Sequence, residues 1–227
     1  MQTAAVIPAL NEEASLPLVL AALAEAGIER VVVADNGSTD RTAELARAAG
    51  ATVVHQPARG YGSACLAGFS HLERDPPDVV VILDADHSVY LEDLPALLGP
   101  IQRGEADMVL GDRTRLAEPG SLTPQQKHGN LLATNLIRLV TGHRYGDMGP
   151  FRALRWSSLV ALEMEDPTWG WNVEMQIKAV KRGLRVREVD VRYRDRHAGE
   201  SKISGSLRGS LKAGTKILWA TWRYRRG

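Results

Sequence analysis

The stretch Val81-Ile-Leu-Asp-Ala-Asp-His-Ser88 closes an apolar run on two carboxylates, Asp84 and Asp86, separated only by Ala85. Like charges this close repel one another unless a cation or hydrogen-bond donors share the site. If the strand persists, positions i and i+2 put both side chains on one face. That arrangement suits a hard divalent cation, Mg²⁺ or Mn²⁺, which takes oxygen ligands and bridges to substrate phosphates. The alternative is that Asp84 caps the next helix and Asp86 is solvated, and His87 is either a further ligand or a surface group. Arg113, Arg194, Arg196 and Lys202 are placed to grip phosphate oxygens, the arginines bidentately and the lysine as a point charge. Neither a GxxxxGK[ST] cradle nor a GxGxxG after the first strand is present, and Arg59-Gly-Tyr-Gly62 is a weak signal alone. A nucleotide ligand would therefore be held through a metal and side chains.

The elements that must position these groups follow from periodicity. Ala4–Pro8, Arg30–Ala34, Ala51–His55 and Val79–Leu83 read as short buried strands. Leu16–Ala26, Thr39–Ala49 and Ser63–Arg74 read as helices between them. Continuous Val/Ile runs alternating with helices imply a mostly parallel sheet covered on both faces. In such sheets ligands collect at the carboxyl ends of the strands. The four loops at that edge carry Asn11-Glu12, Asp35-Asn36, Arg59-Gly60 and Asp84 to Asp86. The second half is less regular: strands over 107–111, 150–154 and 184–191, and helices over 125–141, 171–182 and 204–224, the last with glycines at 205, 209 and 214.

With 44% apolar and 24% charged residues in 227, the chain is that of a globular protein. A net charge of +1 hides an asymmetry: residues 191–227 hold ten Lys or Arg against Asp195 and Glu200, so the rest is net acidic. A basic end on an acidic body points to an anionic partner. The single cysteine, Cys65, excludes an intramolecular disulfide and reads as a small buried residue in a reducing compartment. The start lacks a basic leader and no apolar run approaches a spanning length, so neither a secretory signal nor a membrane span is expected.

The chain resembles family 2 glycosyltransferases of the GT-A fold, most of all the polyprenyl-phosphate (dolichyl-phosphate) mannose or glucose synthases. The likeness runs from about residue 5 to 204. It rests on Val6-Ile-Pro-Ala-Leu-Asn-Glu-Glu13, Val33-Ala-Asp-Asn-Gly-Ser-Thr-Asp40, Arg59-Gly-Tyr-Gly62, Leu83-Asp-Ala-Asp86, Gly111-Asp-Arg113, Gly149-Pro-Phe-Arg152 and Gly199-Glu-Ser-Lys202 in that order. It implies a GT-A domain over 1–204, Rossmann-like with a mostly parallel central sheet flanked by helices, and a basic amphipathic helix or tail over 205–227. It also implies that Pro8, Asn11, Glu12 and Asp35 hold the nucleobase and ribose of a nucleotide sugar, with Arg59 on the same ligand. Asp84 and Asp86 would take the metal, Mg²⁺ or Mn²⁺, and the diphosphate. Arg113 would face the sugar or acceptor phosphate, and Arg196, Ser201 and Lys202 would close over the phosphates. Two departures bear on UDP against GDP: Asn36 stands where an Asp is usual, and His87-Ser88 follows the acidic pair where a Gln or Asn often stands.

The acceptor decides the chemistry. Transfer to a hydroxyl needs a general base, whereas a phosphate monoester is already a dianion near neutrality. The expected reaction is inverting hexosyl transfer to a polyprenyl phosphate, with Asp86 and Arg113 catalytic. The protein would be cytoplasmic and peripheral on the inner face of the cell membrane, its C-terminal helix either in the interface or packed on the domain. One alternative is a soluble hydroxyl acceptor with Glu174 as base. Another is a non-catalytic nucleotide- or membrane-binding module. Nucleic-acid binding is disfavoured because the basic residues are confined to one end.

Overall fold

Alternation decides the first strand. In the computed structural model, which describes residues 1–199 and 207–225 with the side chains of 207–213 excepted, β1 (Thr3–Ala9) sends Ala5, Ile7 and Ala9 into one apolar cluster and Ala4 and Val6 into another. A strand apolar on both faces belongs inside a sheet covered on both sides. α1 (Leu16–Glu25) buries Leu16, Val19, Leu20 and Leu23, the stripe expected of an amphipathic helix. The unit repeats through β2 (Arg30–Asp35), α2 (Thr42–Ala48), β3 (Thr52–His55), α3 (Tyr61–Leu72) and β4 (Val79–Ile82). α2 starts three residues later than periodicity suggests, because the Thr39 amide donates to Asn11 Oδ1 and the Thr42 amide to Asp40 Oδ1.

After a 3-10 turn at Leu91–Asp93 come α4 (Leu94–Gln102), β5 (Met108–Ala117), α5 (Pro124–Thr141), β6 (Arg152–Arg155), α6 (Trp156–Leu162), α7 (Trp171–Lys181), β7 (Val186–Tyr193) and α8 (Leu207–Tyr224). Thr123 opens α5 with a capping box, its side chain accepting from the Gln126 amide while Gln126 Oε1 accepts from the Thr123 amide. α4 and α6 are not legible in the sequence; both are short, and their apolar spacing is interrupted by Pro100 and by the Trp156-Ser-Ser start.

The seven strands lie in the order β3-β2-β1-β4-β6-β5-β7. All pairings are parallel except those of β6, which runs antiparallel to β4 and β5. α1 and α4 contribute to the cluster on one face, and α3, α5, α7 and α8 to the cluster on the other. The chain winds outward from β1 to β3 and then crosses to β4 on the opposite side of β1. The carboxyl ends of β1 and β4 therefore flank a topological switch point, where an open α/β sheet leaves a crevice.

The boundary expected at 204 falls among residues outside the described ones. Beyond it, α8 packs on α5 and α7, with Ala220, Thr221 and Tyr224 buried. Among the described residues, no helix is long and apolar enough to cross a membrane.

The contact between α3 and β1 tests this packing. A Cβ at Gly68 would stand 2.6 Å from Val6 Cγ1, whereas one at Gly129 would meet open space. Gly68→Leu should cost about 1–3 kcal/mol through overpacking, at roughly 2–4 °C of melting temperature per kcal/mol for a chain of this size. Gly129→Ala, inside α5, should gain about 0.5–1 kcal/mol. Calorimetry on the two variants checks both signs.

Candidate active site

At the switch point lies a cleft of about 1130 Å³. Its floor is Pro8, Ala9 and Leu10 after β1 and Asp84, Ala85 and Asp86 after β4. One side is formed by Glu12, Asn36, Arg59, Gly60 and Tyr61, and the other by Arg113, Met148, Tyr193 and Arg196. Trp169, Lys216 and Trp219 wall it from the C-terminal part of the chain. Of the residues expected from sequence, the fold thus gathers Pro8, Glu12, Arg59, Asp84, Asp86, Arg113 and Arg196. Asn11, Asp35 and Glu174 are not among its walls, and Ser201 and Lys202 lie outside the described residues.

Asn11 and Asp35 act on the loops instead. Asn11, with φ +53°, accepts from the Thr39 amide at 2.8 Å and has no place on the wall. Asp35 is buried, bonded by the Ser38 amide at 3.1 Å and by His55 Nδ1 at 3.1 Å. Burial works against its charge, but Ser38 and His55 outweigh it and hold the carboxyl below its ordinary value. Asn36 donates its amide to the Gln56 and Ala58 carbonyls, at 3.0 and 2.8 Å, and accepts from the Gly60 amide at 2.8 Å. An aspartate there has no N–H to give those carbonyls, which accounts for the departure from the family pattern. The glycines of Arg59-Gly-Tyr-Gly62 are steric: a Cβ at Gly60 would lie 2.1 Å from the Pro167 carbonyl oxygen, and one at Gly62 would lie 1.9 Å from that of Asp166. The Ser63 amide donates to Pro167 O at 2.9 Å, fastening the 165–170 loop over the start of α3.

The acidic pair lies beyond the strand, not on it. β4 stops at Ile82, and Asp84 to Ser88 form a turn in which His87 has φ +60°. The two carboxylates therefore do not share a strand face, yet the turn delivers both to the cleft. Burial first, and Asp86 second, push the Asp84 carboxyl up to about 7 against the pull of Arg113 and Tyr61. Asp86 Oδ1 accepts from the Ser88 amide and hydroxyl, and its Oδ2 lies 3.5 Å from Arg196, which also holds Glu12 Oε1 at 3.0 Å. Arg194 clamps the same turn from outside, donating to the His87 carbonyl at 2.8 Å and meeting its ring nitrogen at 2.7 Å.

These residues fit a divalent cation. A half-buried carboxylate pair with one member's acidity suppressed is stabilised by a hard cation. Beside it, the buried Arg196 Nε has no hydrogen-bond partner among the described residues. Asp84 and Asp86 would hold the ion. No cluster of three or more His, Cys, Asp or Glu occurs among the described residues, so the remaining ligands would come from substrate phosphates and water.

Arg113, at the outer part of β5, is gripped by Asp147: Nε to Oδ2 at 2.6 Å, Nη2 to Oδ1 at 2.9 Å, with the Tyr193 ring 4.8 Å below the guanidinium. Burial disfavours both charges, but each outweighs it for the other, so Arg113 stays protonated and Asp147 falls below its ordinary value. Sequence reasoning misses Asp147. The available signal is its bracketing by Gly146 and Gly149, where a Cβ would collide with Asp112 Oδ2 at 2.4 Å and Asp147 Oδ2 at 2.9 Å. Lys216 and Trp219 read in sequence as part of a basic surface helix. In the fold, Lys216 Nζ pairs with Asp166 Oδ2 at 2.8 Å and stacks on Trp219, inside the cleft wall.

Glu174 is a clamp rather than a base. Fully buried in the first turn of α7, it accepts from the Glu165 and Asp166 amides at 2.8 and 2.7 Å and from Lys178 Nζ at 2.6 Å. This placement leaves it fully buried and outside the cleft lining.

The Glycosyl transferase family 2 model matches residues 4–161, which span the whole acidic-pair side of the cleft. The chain belongs to glycosyl transferase family 2. It is 43% identical over 210 residues to an uncharacterized glycosyltransferase of Mycobacterium tuberculosis, covering 92% of each chain. It is 34% identical to the undecaprenyl-phosphate mannosyltransferase of Micrococcus luteus, over the full length of both. Among solved structures it resembles glucosyl-3-phosphoglycerate synthase of M. tuberculosis in complex with Mn²⁺, UDP-glucose and phosphoglyceric acid, with a TM-score of 0.74, 25% identity and coverage of 97% of this chain and 80% of that one. This glycosyltransferase is accordingly a hexosyltransferase with the fold of that structure.

Two outcomes test the site. Because the folded, metal-free chain keeps on Asp84, up to about 7, a proton that the unfolded chain releases near 4, its stability should fall as pH rises through that window. Asp84→Asn, neutral throughout, should then melt above wild type at about pH 8 in chelator, with the gap narrowing as pH falls and closing only below about pH 4. Asp147→Asn strands a buried guanidinium and should cost roughly 3–5 kcal/mol, read by denaturant unfolding, with hexosyl transfer falling alongside.

Proposed function

We propose that this glycosyltransferase moves a hexose, with inversion, from a UDP- or GDP-linked donor to a lipid phosphate of the polyprenyl type at the cytoplasmic face of a membrane. One observation carries the reading: with the acidic pair, the cleft is lined by cations and large apolar side chains together, Arg113 and Lys216 with Met148, Trp169 and Trp219. That lining suits a phosphate carried on an apolar chain. An acceptor phosphate oxygen attacks the anomeric carbon, the bond from that carbon to the donor's diphosphate breaks, and the nucleoside diphosphate leaves. A phosphate monoester, with its second pKa near 6, needs no base, in keeping with the burial of Glu174.

The chain's own residues position and charge-match the reactants. Pro8 and the Asn36-braced loop form the nucleotide end, Arg59 and Arg196 flank the diphosphate, and Arg113, its plane set by Asp147, presents a fixed guanidinium to the acceptor. A divalent cation on Asp84 and Asp86 would neutralise the diphosphate as charge develops on it. Ordered placement and electrostatics supply the rate. The solved neighbour's phosphoglyceric acid supports a second reading, a soluble phosphorylated acceptor whose hydroxyl is glycosylated.

The purified enzyme incubated with labelled UDP- and GDP-hexoses, Mg²⁺ or Mn²⁺, and either a short-chain prenyl phosphate or a soluble phosphorylated alcohol separates the readings. Label should appear in a solvent-extractable product with release of one nucleoside diphosphate per sugar. Label on the soluble hydroxyl alone would overturn the lipid acceptor. Asp86→Ala should lower transfer by about 10²-fold or more. Glu174→Gln should leave kcat near wild type while lowering the melting temperature, since a neutral amide leaves Lys178 buried and unpaired.

A further inference from the structure

α5 and α8 are turned the unusual way round for helices facing water. α5 buries Ala133, Thr134 and Ile137 but leaves Leu131 61% and Leu139 81% exposed. α8 buries Ala220, Thr221 and Tyr224 but leaves Leu218 51% and Trp222 61% exposed. The two helices pack against one another, so their outward faces adjoin. Large apolar side chains gathered on a surface mark a site of contact. Neither helix contains an Asp or Glu, while their cations with described side chains are Lys127, Arg138, Lys216 and Arg223. Lys216 and Arg223 fasten α8 to Asp166 and Glu165, and Arg138 lies on the exposed side of α5 beside Leu139.

This chemistry selects the occupant. Leucine and tryptophan flanked by cations, with no carboxylate on either helix, is the composition of a helix face lying in the headgroup layer of an anionic bilayer. A second copy of the chain is disfavoured, because a twofold pairing of this face brings its cations against each other. We propose that the outward faces of α5 and α8 form one docking surface for an anionic lipid bilayer. Trp219 belongs both to α8 and to the cleft wall, so a chain docked this way opens its cleft at headgroup level. The proposal rests on the lipid-phosphate reading for its purpose but not for its evidence.

Sedimentation with vesicles of phosphatidylcholine alone, or mixed with phosphatidylglycerol, tests it on the full chain. Wild type should pellet with the anionic vesicles at least about tenfold more than with neutral ones, less so in high salt. The double variant Leu139→Glu with Trp222→Glu should stay in the supernatant, while Leu18→Glu, on α1, should behave as wild type. Melting temperatures of the three should agree, and transfer to a short-chain prenyl phosphate without vesicles should be unchanged. Wild type that ignores anionic vesicles, or a double variant that binds them equally, overturns the surface. So does a wild-type dimer that the double variant abolishes. Vesicle binding in the expected pattern without any transfer to prenyl phosphate would sink the acceptor reading and leave the surface standing.

Discussion

The structure turns on two like charges held at the bottom of a crevice whose floor is otherwise apolar. Val79 to Ile82 is buried on every side, and the chain spends its next residues putting Asp84 and Asp86 where the sheet changes direction. In a low-dielectric setting such a pair is tolerable only with countercharge nearby. The fold provides it from far along the chain: Arg113 beyond the sheet edge of β5, and Arg196 after β7. Each cation is then steadied by a carboxylate of its own, Asp147 and Glu12. The result is an alternating array in which Arg113 is held by two bonds to one carboxylate, while Arg196 is shared between Glu12 at 3.0 Å and Asp86 at 3.5 Å.

A second constraint is spatial. The 165–170 loop presses its carbonyls onto Gly60 and Gly62, Ser63 bonds it there, and Gly170 leaves room for the Asp166 and Lys216 pair. That loop is braced from behind by Glu174. The 59–62 loop and the C-terminal helix are consequently parts of one packed unit. A substitution in the clamp would be felt across the cleft without touching a substrate.

A division of labour along the chain results. The family match ends at residue 161, before α7, α8 and the loop that carries Trp169. The matched part supplies the acidic pair, the braced loops and Arg113. The C-terminal remainder supplies Arg196 and the wall of Trp169, Lys216 and Trp219.

Much of this was legible in residue order. Short apolar runs and period-3.6 patterns placed the first four strands and three helices within a few residues, the Val/Ile runs implied the parallel sheet, and the rule that ligands collect at strand carboxyl ends put Glu12, Arg59 and Asp84 at one edge. These are local signals, read from neighbours a few positions apart. The partners were not legible. Arg196 meets Glu12 across 184 positions, Arg113 meets Asp147 across 34, and Lys216 reaches Asp166 from a helix that sequence alone left between a lipid interface and a packed element. Glu174 looked available because its type and helix position are visible, whereas its three hydrogen-bond donors are not. Sequence by itself determined which side chains could carry charge and on which kind of element they would sit. Only the tertiary structure decided which of those charges neutralise one another and which still face the cleft, because such pairing depends on distances that packing creates between residues remote in the chain.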